Sequence, residues 1–188
     1  MTLKEQKQRI LGLIEELNPK SEYLTDDPDI LAKINYVIDQ VQNELARIKK
    51  IPATTTEDVT KDDVFDLNTL DKFYQLRMLR FKNGAGEDAM YEVIDNMVIF
   101  EEDGTATFFY YKYPESITAD KTKDSYEFEL SQDVLEIMPY GVAADLLKSD
   151  VSTNYGKVYA ERYENMLQRL EPRYSTGGSI VIEGGVDI

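Results

Sequence analysis

Residues 27–52 read DPDILAKINYVIDQVQNELARIKKIP, and the fold turns on how this stretch begins and ends. Asp27 can cap a helix, Pro28 suits the first helical position, and Asp29 favours the positive end of the helix dipole. Behind them Ile30, Ile34, Val37, Ile38, Val41, Leu45 and Ile48 recur at helical spacing. That stripe predicts an amphipathic helix of about six turns. Lys49 and Lys50 suit its negative end, and Pro52 closes it, which places the helix at 27–51. From residue 53 onward the period changes from helical to alternating.

Upstream, Leu3, Ile10, Leu13, Ile14 and Leu17 predict a first helix over 2–17, closed by Asn18-Pro19. Downstream, Thr54-Thr55-Thr56, Val64-Phe65-Asp66-Leu67 and Phe73 to Phe81 read as strands, rich in β-branched and aromatic residues. Asn83-Gly84-Ala85-Gly86 is a turn. Asp103-Gly104, between Met97-Val98-Ile99-Phe100-Glu101 and the run Thr105 to Tyr113, is a hairpin signal. Tyr113-Pro114 breaks that strand, 118–125 is a surface loop, and Tyr126, Phe128 and Leu130 alternate as one more strand. Helical spacing then returns. Ser131 can cap a short turn, Pro139 can open a helix over 139–149, and Ser152 or Thr153 can begin a last one over 153–170. Tyr155, Val158, Tyr159, Arg162, Tyr163, Met166, Leu167 and Leu170 lie near one face of it, and Pro172 stops it. The reading is an α+β chain: a helical bundle of two N-terminal and two C-terminal helices, a β-rich antiparallel insert at 53–130, and an extended C-terminal arm at 174–188. Residues 1–173 form one domain.

The chain has 188 residues, enough to bury a sizeable core. It has no cysteine and no histidine, which removes disulfides, thiolate zinc sites, the Ser–His and Cys–His nucleophile pairs and the usual general base. Met1-Thr2-Leu3-Lys4-Glu5-Gln6-Lys7 has no apolar signal core, and no run approaches the ~20 apolar residues that span a bilayer. The expectation is a soluble chain, with no membrane partner, that acts where it is made. The net charge of −15 is uneven, since residues 52–130 carry −10 of it while 1–51 are nearly neutral. So acidic a region repels a phosphate backbone.

The acidic clusters Asp26-Asp27-Pro28-Asp29, Asp62-Asp63 and Glu101-Glu102-Asp103 match no calcium-loop spacing, and each has a local explanation as a helix start, loop or turn. Gly84-Ala85-Gly86 lacks the third glycine and the lysine of a phosphate loop, and Glu87-Asp88 follows it. Ser149 beside Lys148 and Ser152 before Lys157 do not share a helix face, which leaves no Ser–Lys pair. No catalytic, cofactor-binding or metal-ligating residue is assigned, and no cofactor is expected.

Surfaces remain. Phe108, Phe109, Tyr110, Tyr111 and Tyr113 put aromatic rings on both faces of one strand, which predicts a covered outer face at a helix or a neighbouring subunit. At the C-terminus Ile180, Val181 and Ile182, with Val186 and Ile188 beyond, sit between Gly-Gly pairs. Such a segment is either a strand of this domain's own sheet or an arm that adds as a strand to another chain, and the glycine pairs on both sides favour the arm.

The order of elements and several local patterns resemble the head–tail adaptor (head-completion, connector) proteins of tailed bacteriophages. The matching pieces are Asp29 to Ile48 with Asn35 inside it, Val64-Phe65-Asp66-Leu67 leading into Phe73 to Phe81, and the strand ending Tyr110-Tyr111-Lys112-Tyr113-Pro114. The fullest match is Met138-Pro139-Tyr140-Gly141-Val142-Ala143-Ala144-Asp145-Leu146-Leu147, then Asp150, then Ala160-Glu161-Arg162-Tyr163-Glu164-Asn165-Met166-Leu167. It spans residues 25–170. The resemblance implies a structural virion protein that is not an enzyme: a closed homo-oligomeric ring, commonly of twelve subunits, beneath the portal protein. It would join the DNA-filled head to tail or nozzle proteins at the neck of the virion, after assembly in the host cytoplasm. Double-stranded DNA would pass through without sequence-specific binding, and the C-terminal arm would grip the portal. The acidic insert departs from relatives with basic DNA-facing patches. Two alternatives stay open: a carboxylate- and Mg²⁺-dependent enzyme, and a scaffold or binding module with no phage link.

Overall fold

Helix α2 (Pro28–Ile48) is the spine of the molecule, and the Asp27 carboxylate starts it by accepting from the N–H groups of Asp29 and Ile30 at 2.8 and 3.2 Å. The computed structural model describes residues 1–21, 24–118, 124–148 and 154–170. The apolar stripe of α2, from Ile34 to Leu45, is buried. The helix ends at Ile48 rather than at 51, and Pro52 does not stop it. Pro52 is instead the second residue of strand β1 (Ile51–Val59). β1 lies at the edge of its sheet, where one row of N–H groups has no strand to bond, so a proline is tolerated.

Helix α1 (Leu3–Leu13) opens with a capping box between Thr2 and Glu5 and ends at Leu13, not at 17. Glu15 takes a left-handed φ of 62°, and the Glu16 N–H donates back to the Leu11 carbonyl at 2.9 Å. This is a Schellman end with glutamate where glycine is usual, so no residue type announced it.

Strands β1, β2 (Val64–Asp66), β3 (Phe73–Asn83), β4 (Tyr91–Ile94), β5 (Met97–Phe100) and β6 (Gly104–Lys112) form two antiparallel sheets, ordered β1-β6-β3 and β2-β5-β4. The sheets pack face to face: Leu79, Phe81, Ala106, Phe108 and Tyr110 of the first share one core with Val98, Phe100 and Phe65 of the second. Mixed helix and sheet make this an α+β fold. The expected hairpin at Asp103-Gly104 does not form, because β5 and β6 belong to different sheets. The two-residue hairpin lies one strand earlier, between Ile94 and Met97, where Asp95 adopts a φ of 54°. Gly104 is needed for space instead. It pairs with both Val59 and Asn83, and a Cβ there would come within 2.1 Å of the Lys82 carbonyl oxygen. Along β3 the register shifts twice, leaving Tyr74 and Arg77 without a partner on β6. These bulges turn Phe73, Leu76, Leu79 and Phe81 to one side, which strict alternation would not.

Past β6 the chain rejoins the helices. The expected strand at 126–130 is not part of the sheets. Its one ladder contact is an isolated bridge between Thr2 and Glu127, and Phe128 and Leu130 are buried in the helical core. Among the described residues the last strand therefore ends at Lys112, not at 130. A short turn, α3 (Gln132–Leu135), leads to α4 (Met138–Leu146), which touches α1, α2 and α5 (Tyr155–Leu170). The expected caps Ser152 and Thr153 and the stop at Pro172 lie outside the described residues. On α5, Tyr163 is buried while Tyr155 and Val158 are exposed, so the packed face is narrower than the stripe suggested. Gly141 admits the Tyr163 ring, since a Cβ there would sit 2.8 Å from Cε2. The Tyr163 hydroxyl donates to Glu44 at 3.1 Å.

One clasp joins the two bodies. Asp39 Oδ1 accepts from the Ile117 N–H at 2.6 Å, and Gln42, fully buried, donates to the Glu115 carbonyl at 2.7 Å. Ion pairs of Lys72 with Glu115 and of Lys112 with Glu129 flank it.

Two predictions follow from this packing. Gly104→Ala is expected to cost about 1–3 kcal/mol through overpacking, read as a lower urea midpoint at unchanged m-value; an unaltered midpoint would refute the close approach. The second concerns alkali. Burial first, then the Glu44 carboxylate, push the Tyr163 phenol far above its ordinary value. Its folded pKa exceeds the unfolded one, so its contribution is complete below about pH 10 and is lost as pH rises beyond. Tyr163→Phe should lower stability at pH 8 by about 1 kcal/mol, for the lost hydrogen bond. That deficit should shrink toward pH 11 in thermal melts.

Candidate interaction surface

Strand β6 is the middle strand of its sheet, and its aromatic run divides as the pleat requires. Phe108 and Tyr110 point inward. Phe108 stacks on Phe65 of the opposite sheet at 4.6 Å between centroids, and Tyr110 lies 6.0 Å from Phe73. The Tyr110 hydroxyl reaches Thr55 Oγ1 at 3.5 Å. Phe109 and Tyr111 point outward and are partly buried, though among the described residues no helix packs on β6. Cations do. The Arg80 guanidinium lies 5.5 Å from the Phe109 ring centre, and Lys50 Nζ lies 5.1 Å from that of Tyr111 and 5.7 Å from that of Tyr74. Lys50 also donates to Gln75 Oε1 at 2.6 Å. Tyr113, just past the strand, packs on Tyr74 at 4.9 Å. Of the five residues singled out in sequence, Phe108 and Tyr110 are thus core, and Phe109, Tyr111 and Tyr113 are surface.

The register extends this outer face across the sheet. Beside Tyr111, Phe109, Thr107 and Thr105 lie Pro52, Thr54, Thr56 and Asp58 of β1 and Gln75, Met78, Arg80 and Lys82 of β3. With Lys50 the face holds three cations against the carboxylates of Asp58 and of Asp88, which bridges to Lys82, in a chain of net charge −15.

The outer face of the second sheet escaped the sequence reading. Its rows are Val64–Ile99–Glu92 and Asp66–Met97–Ile94. Val64, Ile94 and Met97 are 60%, 49% and 41% exposed. The signal was present: Met97-Val98-Ile99-Phe100 is apolar at every position, whereas a strand with one wet face alternates. None of the three strands carries a lysine or arginine.

The acidic clusters are occupied locally. Asp27 caps α2, Asp26 accepts from Asn18, and Asp103 accepts from the Lys61 N–H at 2.7 Å. Asp63 accepts from both the N–H and the hydroxyl of Thr60, which hold its carboxyl below the usual range. Among the described residues no three carboxylates converge so as to hold a metal ion. A cleft of about 390 Å³ at the far end of the helices has Leu13, Ile14, Ile30 and Leu147 in its floor and Glu15, Glu16, Asp27 and Asp29 at its rim. The arm residues Ile180, Val181, Ile182, Val186 and Ile188 lie outside the described residues.

No protein-family model matches the chain, and no curated protein matches it at a significant level.

The inward and outward rings should separate on truncation. Phe108→Ala is expected to cost about 3–5 kcal/mol in denaturant unfolding. Phe109→Ala should cost no more than about 1 kcal/mol, the scale of an exposed cation–π contact. Equal losses would mean that the faces are misassigned.

Proposed function

We propose that this chain is a head–tail adaptor of a tailed bacteriophage: a structural virion protein that forms a ring beneath the portal and joins head to tail around an open channel. The observation that carries this reading is the succession of elements, helix Pro28–Ile48, β-rich body, helix Met138–Leu146 and helix Tyr155–Leu170, in the order of the resembling proteins. In this reading the two N-terminal and two C-terminal helices form the bundle of a single adaptor domain, residues 1–173. The β-body faces neighbouring subunits and the tail, and the arm 174–188 docks on the portal by strand addition.

Its mechanism is binding rather than chemistry. The acidity of the chain suits a passage that must not hold DNA, since carboxylates repel the phosphate backbone and contribute no counterion release. Two exposed sheet faces of unlike character suit a subunit that meets different neighbours on opposite sides.

Electron microscopy of the full chain mixed with the portal protein of the same genome tests this. The expected result is a ring seated on the portal by the full chain and its loss on removal of residues 174–188. Undiminished rings from the truncated chain would reject the arm as the docking element, and no ring from the full chain would reject the function.

A further inference from the structure

The cleft at the far end of the helices is apolar below and acidic around its border. It opens where the ends of α1 and α4 meet the starts of α2 and α5. There α1 stops at Leu13, and the left-handed Glu15 turns the chain off the helical path. Leu13, Ile14, Ile30 and Leu147 are left half-buried in the floor. The Tyr155 ring, 58% exposed, stacks on Tyr159 at 6.5 Å and forms one wall. Two bonds hold the shape: the Tyr159 hydroxyl donates to the Leu13 carbonyl at 2.7 Å, and the Glu16 N–H donates to the Leu11 carbonyl. We infer that this cleft docks a basic amphipathic segment of a partner protein, one that sets a lysine or arginine beside a leucine-like side chain.

Charge decides among the possible occupants. Asp27 is spent on capping α2, but Glu15, Glu16 and Asp29 are exposed and enter no ion pair among the described residues. Lys33 is the only cation in the lining; Lys148 and Lys157 adjoin it in sequence without lining it. A nucleic acid or an anionic membrane would set phosphates against this rim. Residues 149–153 and 174–188 of the chain itself carry Asp150, Glu183 and Asp187 and no base, so neither supplies the counter-charge. A second copy brings another net charge of −15 toward the same carboxylates. A bare polyamine pairs with the rim but leaves the apolar floor wet. Only an occupant that is cationic and apolar at once satisfies both parts.

Size sets how much of it enters. A volume of about 390 Å³ lies at the small end for a binding pocket, so one or two side chains are seated while the rest of the segment crosses the rim. The cleft belongs to the helical body, and filling it requires neither ring nor portal. Failure here leaves the adaptor reading standing, and loss of that reading leaves the cleft.

The test is an NMR titration of the 15N-labelled full-length chain with a synthetic peptide, Leu-Lys-Lys-Leu repeated three times. Salt of about 150 mM screens exposed charges beyond about 8 Å. Saturable shifts are expected at the amides of 13–16, 27–33, 146–147 and 155–159, with the sheets undisturbed. A peptide with serine for every leucine, and spermidine as a bare polyamine, should each bind at least about tenfold more weakly, the effect of leaving about two methylene groups in water. A variant carrying Glu15→Gln, Glu16→Gln and Asp29→Asn should bind the leucine peptide about tenfold more weakly. The same loss of charge through Glu57→Gln, Glu92→Gln and Glu101→Gln should leave binding within about twofold. All six positions are exposed, so melting temperatures should stay within a few degrees of wild type. The inference is overturned if the leucine peptide does not bind, if its shifts spread over the acidic surface or fall on the sheets, or if the serine peptide or spermidine binds as tightly. Equal weakening by the two triple variants would overturn it too, as would concentration-dependent shifts at the cleft amides without peptide, which would make a second copy the occupant.

Discussion

The arrangement of the molecule depends on a small polar clasp. Asp39 and Gln42 stand one turn apart on α2 and hold the backbone of Glu115 and Ile117, where the chain leaves the sandwich and returns to the helices. Both groups are short side chains bonding main-chain atoms, so they fix position more tightly than long ion pairs do. At the other end of the same helix only Lys49 and Lys50 separate α2 from β1. The sandwich is thus attached to α2 covalently at one point and by hydrogen bonds at another. Lys72, Lys112, Glu115 and Glu129 surround this joint and keep carboxylate and ammonium groups alternating around it.

What could be read in the sequence tracks how local each cause is. The start of α2 was legible because Asp27, Pro28 and Asp29 act within one turn. The strand β6 was legible because it is dense in threonine and aromatic residues. The true end of α1 was not, since Glu15 adopts a backbone conformation its type does not advertise. The Asp103-Gly104 hairpin failed for a tertiary reason: β5 and β6 part to opposite sheets, and Gly104 is required by the neighbouring Lys82 carbonyl. Pro52 misled by the same logic, because a helix stop and an edge strand tolerate proline for different reasons.

For the candidate surface, sequence found the aromatic run but not its division of labour. Which rings became core depended on the partner sheet, through Phe65, and on the neighbouring strand β3, through Phe73. The expectation that the insert repels a phosphate backbone rested on a summed charge of −10, and a sum conceals placement. Arg80 and Lys82 share a face by strand alternation, and Lys50 joins them only when β1, β6 and β3 pair.

The edges of the first sheet carry a further consequence. β1 offers a proline and the carboxylates of Glu57 and Asp58, while β3 is bulged at Tyr74 and Arg77. Neither edge is a straight template for another strand, and such edges are what keep crowded β-proteins from fusing into aggregates. The outer face of this sheet stays open to contact while its edges resist amyloid-like growth.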